Sequence, residues 1–254
     1  MIATVPTLDT NLAAKDKLII ALDVDRAEEA FALFAQLLDS AGMFKIGSQI
    51  FTAAGPEIVR RVVAKGGRIF LDLKFHDIPN TVAAAAVEAT RLGVSIFNVH
   101  ASGGVEMMRR AAEAVTETAE REGLTRPKVI AVTALTSLDQ TALNEVGYSG
   151  EPRSFVERLA RLANQAGLDG VVASAEEIGT IRGAVSRRDF LIVTPGIRSA
   201  QQAGSDDQRR VMTAADAIRA GADYLVVGRP VLKADDPVAA ARKIVDEIGA
   251  AARN

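Results

Sequence analysis

A chain of 254 residues, 48% hydrophobic and 24% charged, can bury one large core, and a single α/β barrel is of this size. Its 30 basic and 32 acidic residues leave a formal net charge of −2, so no field of one sign marks a nucleic-acid or anionic-membrane partner. Cysteine is absent and only two histidines occur, which excludes disulfides, thiolate nucleophiles and Cys-ligated metals and would leave a zinc site mostly carboxylate.

The opening stretch MIATVPTLDTNLAAKDK lacks the basic and apolar halves of a signal peptide. Residues 1–16 read as an N-terminal extension and residues 17–254 as one domain. No run approaches the roughly 20 apolar residues of a membrane span, and a soluble, cytoplasmic protein is expected. Eight β-branched or aliphatic runs follow: KLIIALD (17–23), MFKIG (43–47), RIFLDLK (68–74), VSIFNVH (94–100), KVIAVTA (128–134), GVVAS (170–174), FLIVTP (190–195) and DYLVVG (223–228). Between them lie segments such as RAEEAFALFAQLLDS and TVAAAAVEATRLG, apolar at three- and four-residue steps. This rhythm predicts a (β/α)₈ TIM barrel, an α/β fold. A doubly wound open sheet is the alternative, but the first strand runs into LDVDRAEEA without the glycine-rich turn of a dinucleotide site.

Three charges stand out in FLDLKFHDIPNTV (70–82). Side chains alternate along a strand, so Phe70, Asp72 and Lys74 share one face and Ile69, Leu71 and Leu73 the other. The apolar face should meet the helices, which turns Asp72 and Lys74 inward at the C-terminal mouth, where barrels of this kind build their sites. Asp77 follows in the loop, and Pro79 suits the first turn of the next helix. A structural ion pair would also explain such charges, but buried charges are expensive to desolvate and inward charges at this end of a barrel usually serve chemistry. Asp23 ends strand one and Lys45 lies in strand two. Taken singly, Asp23 reads equally as a helix N-cap and Lys45 as a solvated lysine; together they suggest alternating Lys and Asp at one rim. Carboxylates beside an ammonium suit Lys74 to donate a proton rather than to form a Schiff base.

On the far side, TPGIR (194–198) follows strand seven and VVGRPV (226–231) follows strand eight, a common place for phosphate. Gly228 allows close approach and Arg229 can fork onto phosphate oxygens. SAQQAGSDDQRR (199–210) reads as a lid or simply a mobile loop. His76 and His100 are assigned no catalytic role.

DLKFHDIPNT resembles the DxKxxDIPxT signature of the orotidine 5′-phosphate decarboxylase family in its bacterial type. ALDVD (21–25), FKIG (44–47), NVHASGG (98–104), ALTS (134–137), TPGIR (194–198), GSDDQRR (204–210) and VGRPV (227–231) occur in the family's order. The resemblance implies the barrel, and a cofactor-free decarboxylation of orotidine 5′-phosphate to UMP, the last step of pyrimidine nucleotide synthesis. It implies that Asp23 and Lys45 contact the ribose, that Lys45 also joins the catalytic network, that Asp72 lies beside the substrate carboxylate, and that Lys74 protonates C6. It implies a homodimer in which Asp77 and Thr81 reach the neighbouring subunit's site. Thr136 or the adjacent Ser137 would meet the pyrimidine amide. Arg198, Gln208, Gly228 and Arg229 match phosphate and lid contacts, and Ile78 and Pro195 accompany them as substrate contacts. No metal is expected. The alternative is a Mg²⁺-dependent sugar-phosphate enzyme of the same superfamily, of the hexulose-phosphate synthase or ketogulonate-phosphate decarboxylase type. That pattern places an acidic metal ligand after strand two, where this chain has Lys45.

Overall fold

The structure, a computed structural model, describes residues 13–197 and 212–252. Eight parallel strands close into a barrel in chain order: β1 Leu18–Ala21, β2 Met43–Gly47, β3 Ile69–Phe75, β4 Ile96–His100, β5 Lys128–Val132, β6 Gly170–Val172, β7 Leu191–Thr194 and β8 Tyr224–Val227. All eight fall inside or within one residue of the runs expected from the sequence. The single-domain α/β barrel is therefore present, and the open sheet is excluded because β1 pairs with β8 as well as with β2.

Around it run α1 Ala27–Leu37, α2 Ser48–Ala54, α3 Glu57–Ala64, α4 Pro79–Arg91, α5 Gly104–Glu122, α6 Gln140–Glu145, α7 Pro152–Gln165, α8 Ile178–Ala184, α9 Ala214–Ala220, α10 Arg229–Leu232 and α11 Pro237–Ala251. Proline at the first turn of α4, α7 and α11 sets φ for the helix without losing a needed N–H. Thr213 and Asp236 accept backbone N–H groups at the starts of α9 and α11.

Strand alternation divides the core in two. Ile19, Met43, Phe70, Ile96, Ile130, Val193 and Tyr224 fill the barrel, while Leu18, Ile20, Phe44, Ile46, Leu71 and Phe97 pack outward with helix side chains such as Phe34. Phe34 meets Phe44 edge-on, ring centroids 5.0 Å apart, and truncating such a ring to alanine typically costs about 3–5 kcal/mol. At the strand starts two carboxylates tie the sheet to its surroundings. Asp169 accepts from Arg126, Lys128 and the Val129 N–H, and Asp223 accepts from Arg182 and the Ile192 N–H. The turn Ala14–Lys17 closes this end, with the Asp16 backbone seated on Gly42. Among the described residues no helix is long and apolar enough to cross a membrane.

Candidate active site

Strand parity carries the charges to the mouth. Lys45 follows Met43 on the inner face of β2, Asp72 and Lys74 follow Phe70 on that of β3, and Asp23 lies two residues beyond Ala21, past the end of β1. The residue capping α1 is Arg26, so Asp23 is no N-cap. Lys45 Nζ stands 2.9 Å from Asp23 Oδ1 and 3.3 Å from Asp72 Oδ2. On the other side, Lys74 Nζ donates to Asp72 Oδ1 at 2.6 Å. The order Asp23, Lys45, Asp72, Lys74 alternates in sign.

Burial opposes the charged form of Lys45, but Asp72 and then Asp23 outweigh it and hold its pKa above the ordinary lysine value. Asp72 is the mirror case: burial pushes its carboxyl up, while Lys45 and Lys74 bring it below the usual carboxylate range. Lys45 and Asp72 are thus each held charged by their neighbours, and deleting one leaves the other poorly compensated away from water.

The strand that supplies two of the four is irregular. β3 and β4 pair at Phe70↔Ile96 and Leu71↔Phe97, and pairing resumes only at Phe75↔Val99. Four steps along β3 therefore span two along β4, a bulge of the kind found beside active sites. Within it Lys74 has φ 53°, the one positive φ of a non-glycine among the described residues, a conformation that costs a side chain about 1–2 kcal/mol. Its N–H donates to Asn98 Oδ1 at 2.8 Å, and Asn98 Nδ2 donates to Asp72 Oδ1 at 2.7 Å. Asn98 is fully buried. The sequence reading assigned it nothing, although it is the one polar residue at the centre of IFNVH, on the inward side.

A cavity of about 550 Å³ opens over this network, a size suited to a small molecule. Asp23, Lys45, Asp72, Lys74, Thr136, Pro195, Gly228 and Arg229 line it, above an apolar floor that includes Phe70, Val132 and Val226. Thr136 thus faces the cavity, whereas Ser137 is exposed and outside the lining. Asp77, Ile78 and Thr81 are exposed after β3 and line no part of it. Asp77 Oδ1 accepts from the Ile78 N–H at 2.6 Å, and Ile78 is 67% exposed. Arg198, Gln208 and the expected lid 199–210 lie outside the described residues; Ile197 and Met212, on either side of them, form a parallel bridge.

His76 and His100 stack beside the site, centroids 5.5 Å apart and tilted by 37°. Burial, then His76, then Lys74 push the His100 pKa below the usual histidine value. Neither ring lines the cavity. Among the described residues no three His, Asp or Glu side chains gather as a metal site, and the ammonium of Lys45 stands between the Asp23 and Asp72 carboxylates, where a divalent cation shared by the two would sit.

Residues 16–244 match the family model described as "Orotidine 5'-phosphate decarboxylase / HUMPS family". Among curated relatives, the orotidine 5′-phosphate decarboxylase of Pelobacter propionicus is 56% identical over 236 residues, covering 92% of this chain and 96% of that protein. The enzyme of the same name from Moorella thermoacetica is 57% identical over 238 residues, covering 92% and 93%. Among solved structures, that of orotidine 5′-phosphate decarboxylase from Lactobacillus acidophilus superposes with a TM-score of 0.80 at 36% identity, covering 91% of this chain and 98% of that one.

Proposed function

This chain belongs to the orotidine 5′-phosphate decarboxylase / HUMPS family, and from that premise we infer how it works: it decarboxylates orotidine 5′-phosphate to UMP, with Lys74 as the proton donor. The observation that carries this reading is the alternating network, in which a buried carboxylate, Asp72, holds the Lys74 ammonium at the inner mouth of the barrel.

In this chemistry the bond from C6 to the carboxylate breaks, CO₂ leaves, and the electron pair stays on C6 as a vinyl carbanion that the pyrimidine ring cannot delocalise. Only charge already in place can lower that barrier. Lys74 supplies it and then transfers a proton from Nζ to C6. Asp72 stands beside the substrate carboxylate, and Asp23 and Lys45 take the ribose hydroxyls. Thr136 meets the pyrimidine amide, with Pro195 against the base. Gly228 and Arg229 hold the phosphate together with Arg198 and Gln208. Binding energy at that distant phosphate is useful because it can close the site around the reacting carbon and exclude water.

Ile78 is assigned to a substrate contact, and Asp77 and Thr81 to the neighbouring subunit's site in a homodimer. Their exposure, and their absence from their own cavity lining, support that assignment. The reaction is taken as cofactor-independent and cytoplasmic, with residues 1–16 an N-terminal extension to the barrel strands. The sugar-phosphate alternative calls for an acidic metal ligand in the region Lys45 occupies. Purified, EDTA-treated protein should consume orotidylate, followed by its ultraviolet absorbance, at the rate of untreated protein. Loss of activity on chelation with recovery on Mg²⁺ would move the alternative ahead.

A further inference from the structure

We propose that Asn98 is the positioning residue of this site: its buried amide holds the Lys74 backbone and the Asp72 carboxylate in one geometry, which aims Lys74 Nζ at the reacting carbon. The inference rests on Lys74 being the proton donor.

Three observations carry it. Asn98 is fully buried between Phe97 and Val99, a place where an amide is costly unless both of its ends are bonded. Both are: the oxygen accepts from Lys74 N at 2.8 Å and the NH₂ donates to Asp72 Oδ1 at 2.7 Å. These partners also fix which way the amide faces, since a backbone N–H needs an acceptor and a carboxylate needs a donor. No other side chain of this length offers both without first binding a proton. Second, the bulge takes Lys74 out of the β4 ladder, and the Asn98 oxygen stands in for the missing strand partner. Third, Lys74 is held at φ 53°. Such a conformation persists only where its surroundings impose it, and the Asn98 oxygen on the Lys74 N–H is one contact that imposes it. Asp72 Oδ1 takes Asn98 Nδ2 and Lys74 Nζ together, so one amide sets both members of the acid pair.

The test compares Asn98→Ala, Asn98→Asp and Lys74→Ala by kcat, KM, pH profile and UMP affinity. Misplacing a catalytic group by about 1 Å costs on the order of 100-fold in rate. Asn98→Ala should therefore lose at least about 100-fold in kcat, with UMP affinity within about threefold of the parent because UMP carries no carboxylate at C6. Asn98→Asp keeps an acceptor for Lys74 N but sets a second carboxylate against Asp72. Two carboxylates so close share a proton, and the protonated form restores the lost donor. Its kcat relative to the parent should climb as pH falls from about 8 to about 5.5, a trend that a purely structural role would not produce. The charged groups around position 98 are Asp72 and Lys74 on β3, Lys45 of β2 reaching Asp72, and His100 on its own strand; its β5 neighbour, Ile130, is apolar. His100 titrates in the parent too, so the ratio of the two profiles removes it. Parent-like kcat in folded Asn98→Ala, with Lys74→Ala inactive, would overturn the inference alone, whereas an active Lys74→Ala would overturn the donor assignment beneath it. Should Asn98→Ala not fold, the Asn98→Asp ratio decides, and a ratio flat with pH overturns the proposal.

Discussion

Gly47 ends β2 beside the network: a methyl group there would stand 3.0 Å from Lys45 Nζ and 3.3 Å from Asp23 Oδ1. Its backbone, at φ −92° and ψ 177°, is open to any residue, so Gly47→Ala should fold normally yet displace the ammonium. A drop of about tenfold in kcat/KM with an unchanged melting temperature is expected, the effect of a small shift in a positioned charge. Lys74→Ala should remove nearly all decarboxylation while UMP binding stays measurable, because the lost group acts chiefly on the transition state. Substantial turnover in that variant would end its assignment as donor. Asp23, Lys45, Asp72 and Lys74 are legible in the sequence because period-two alternation places them on one face whatever the detailed register. Asn98 is not, because its task depends on a bulge, and a bulge is a matter of which residues pair across two strands rather than of the pattern along either one.

The barrel's closed end shows the same distinction in an element. The Ala14–Lys17 turn rests its Asp16 backbone on Gly42, where an added Cβ would stand 2.4 Å from the Asp16 Cα. Backbone cannot yield as a side-chain tip can, so Gly42→Ala should destabilise by about 1–3 kcal/mol, the usual range for overpacking, read as a lower denaturation midpoint with an unchanged slope. The active mouth lies at the opposite end, and kcat at low temperature should hold. The βα rhythm makes every strand visible in the sequence, since near-continuous apolar runs and amphipathic segments are strong local signals. A contact between the turn before β1 and the residue before β2 leaves no such pattern, as it depends on how the barrel closes.

At the scale of the whole molecule, three ionisations in and beside the site contribute to the dependence of stability on pH. His100 has its pKa depressed below the ordinary 6.5, so its contribution is complete above that value and is lost as pH falls through the folded pKa. Asp72, depressed below 3.8, adds a second loss further into acid. Lys45, raised above 10.5, contributes below that value, and its share is lost as pH rises through its folded pKa. Thermal melts should therefore show a plateau from about pH 7 to about pH 10, and His100→Gln should flatten the decline that begins near neutrality; an unaltered decline would remove His100 as its cause. The proposed dimer has its own test. Inactive Lys74→Ala and inactive Asp77→Ala proteins, mixed and allowed to exchange subunits, should regain activity, because in a mixed dimer one site carries both lesions and the other none. Demonstrated exchange without recovery would place both residues in one subunit's site.

Lys74 differs from its neighbours in access to solvent: its side chain is 33% exposed, against 11% for Lys45 and 13% for Asp72. On the proposed chemistry each turnover gives up one ammonium proton to carbon, leaving an amine that must be recharged before the next substrate can react. Solvent supplies that proton, and among Lys45, Asp72 and Lys74 it is Lys74 that water reaches most readily. The enzyme is thus a net proton consumer, and in unbuffered solution purged of CO₂ its catalysis should register as a rise in pH.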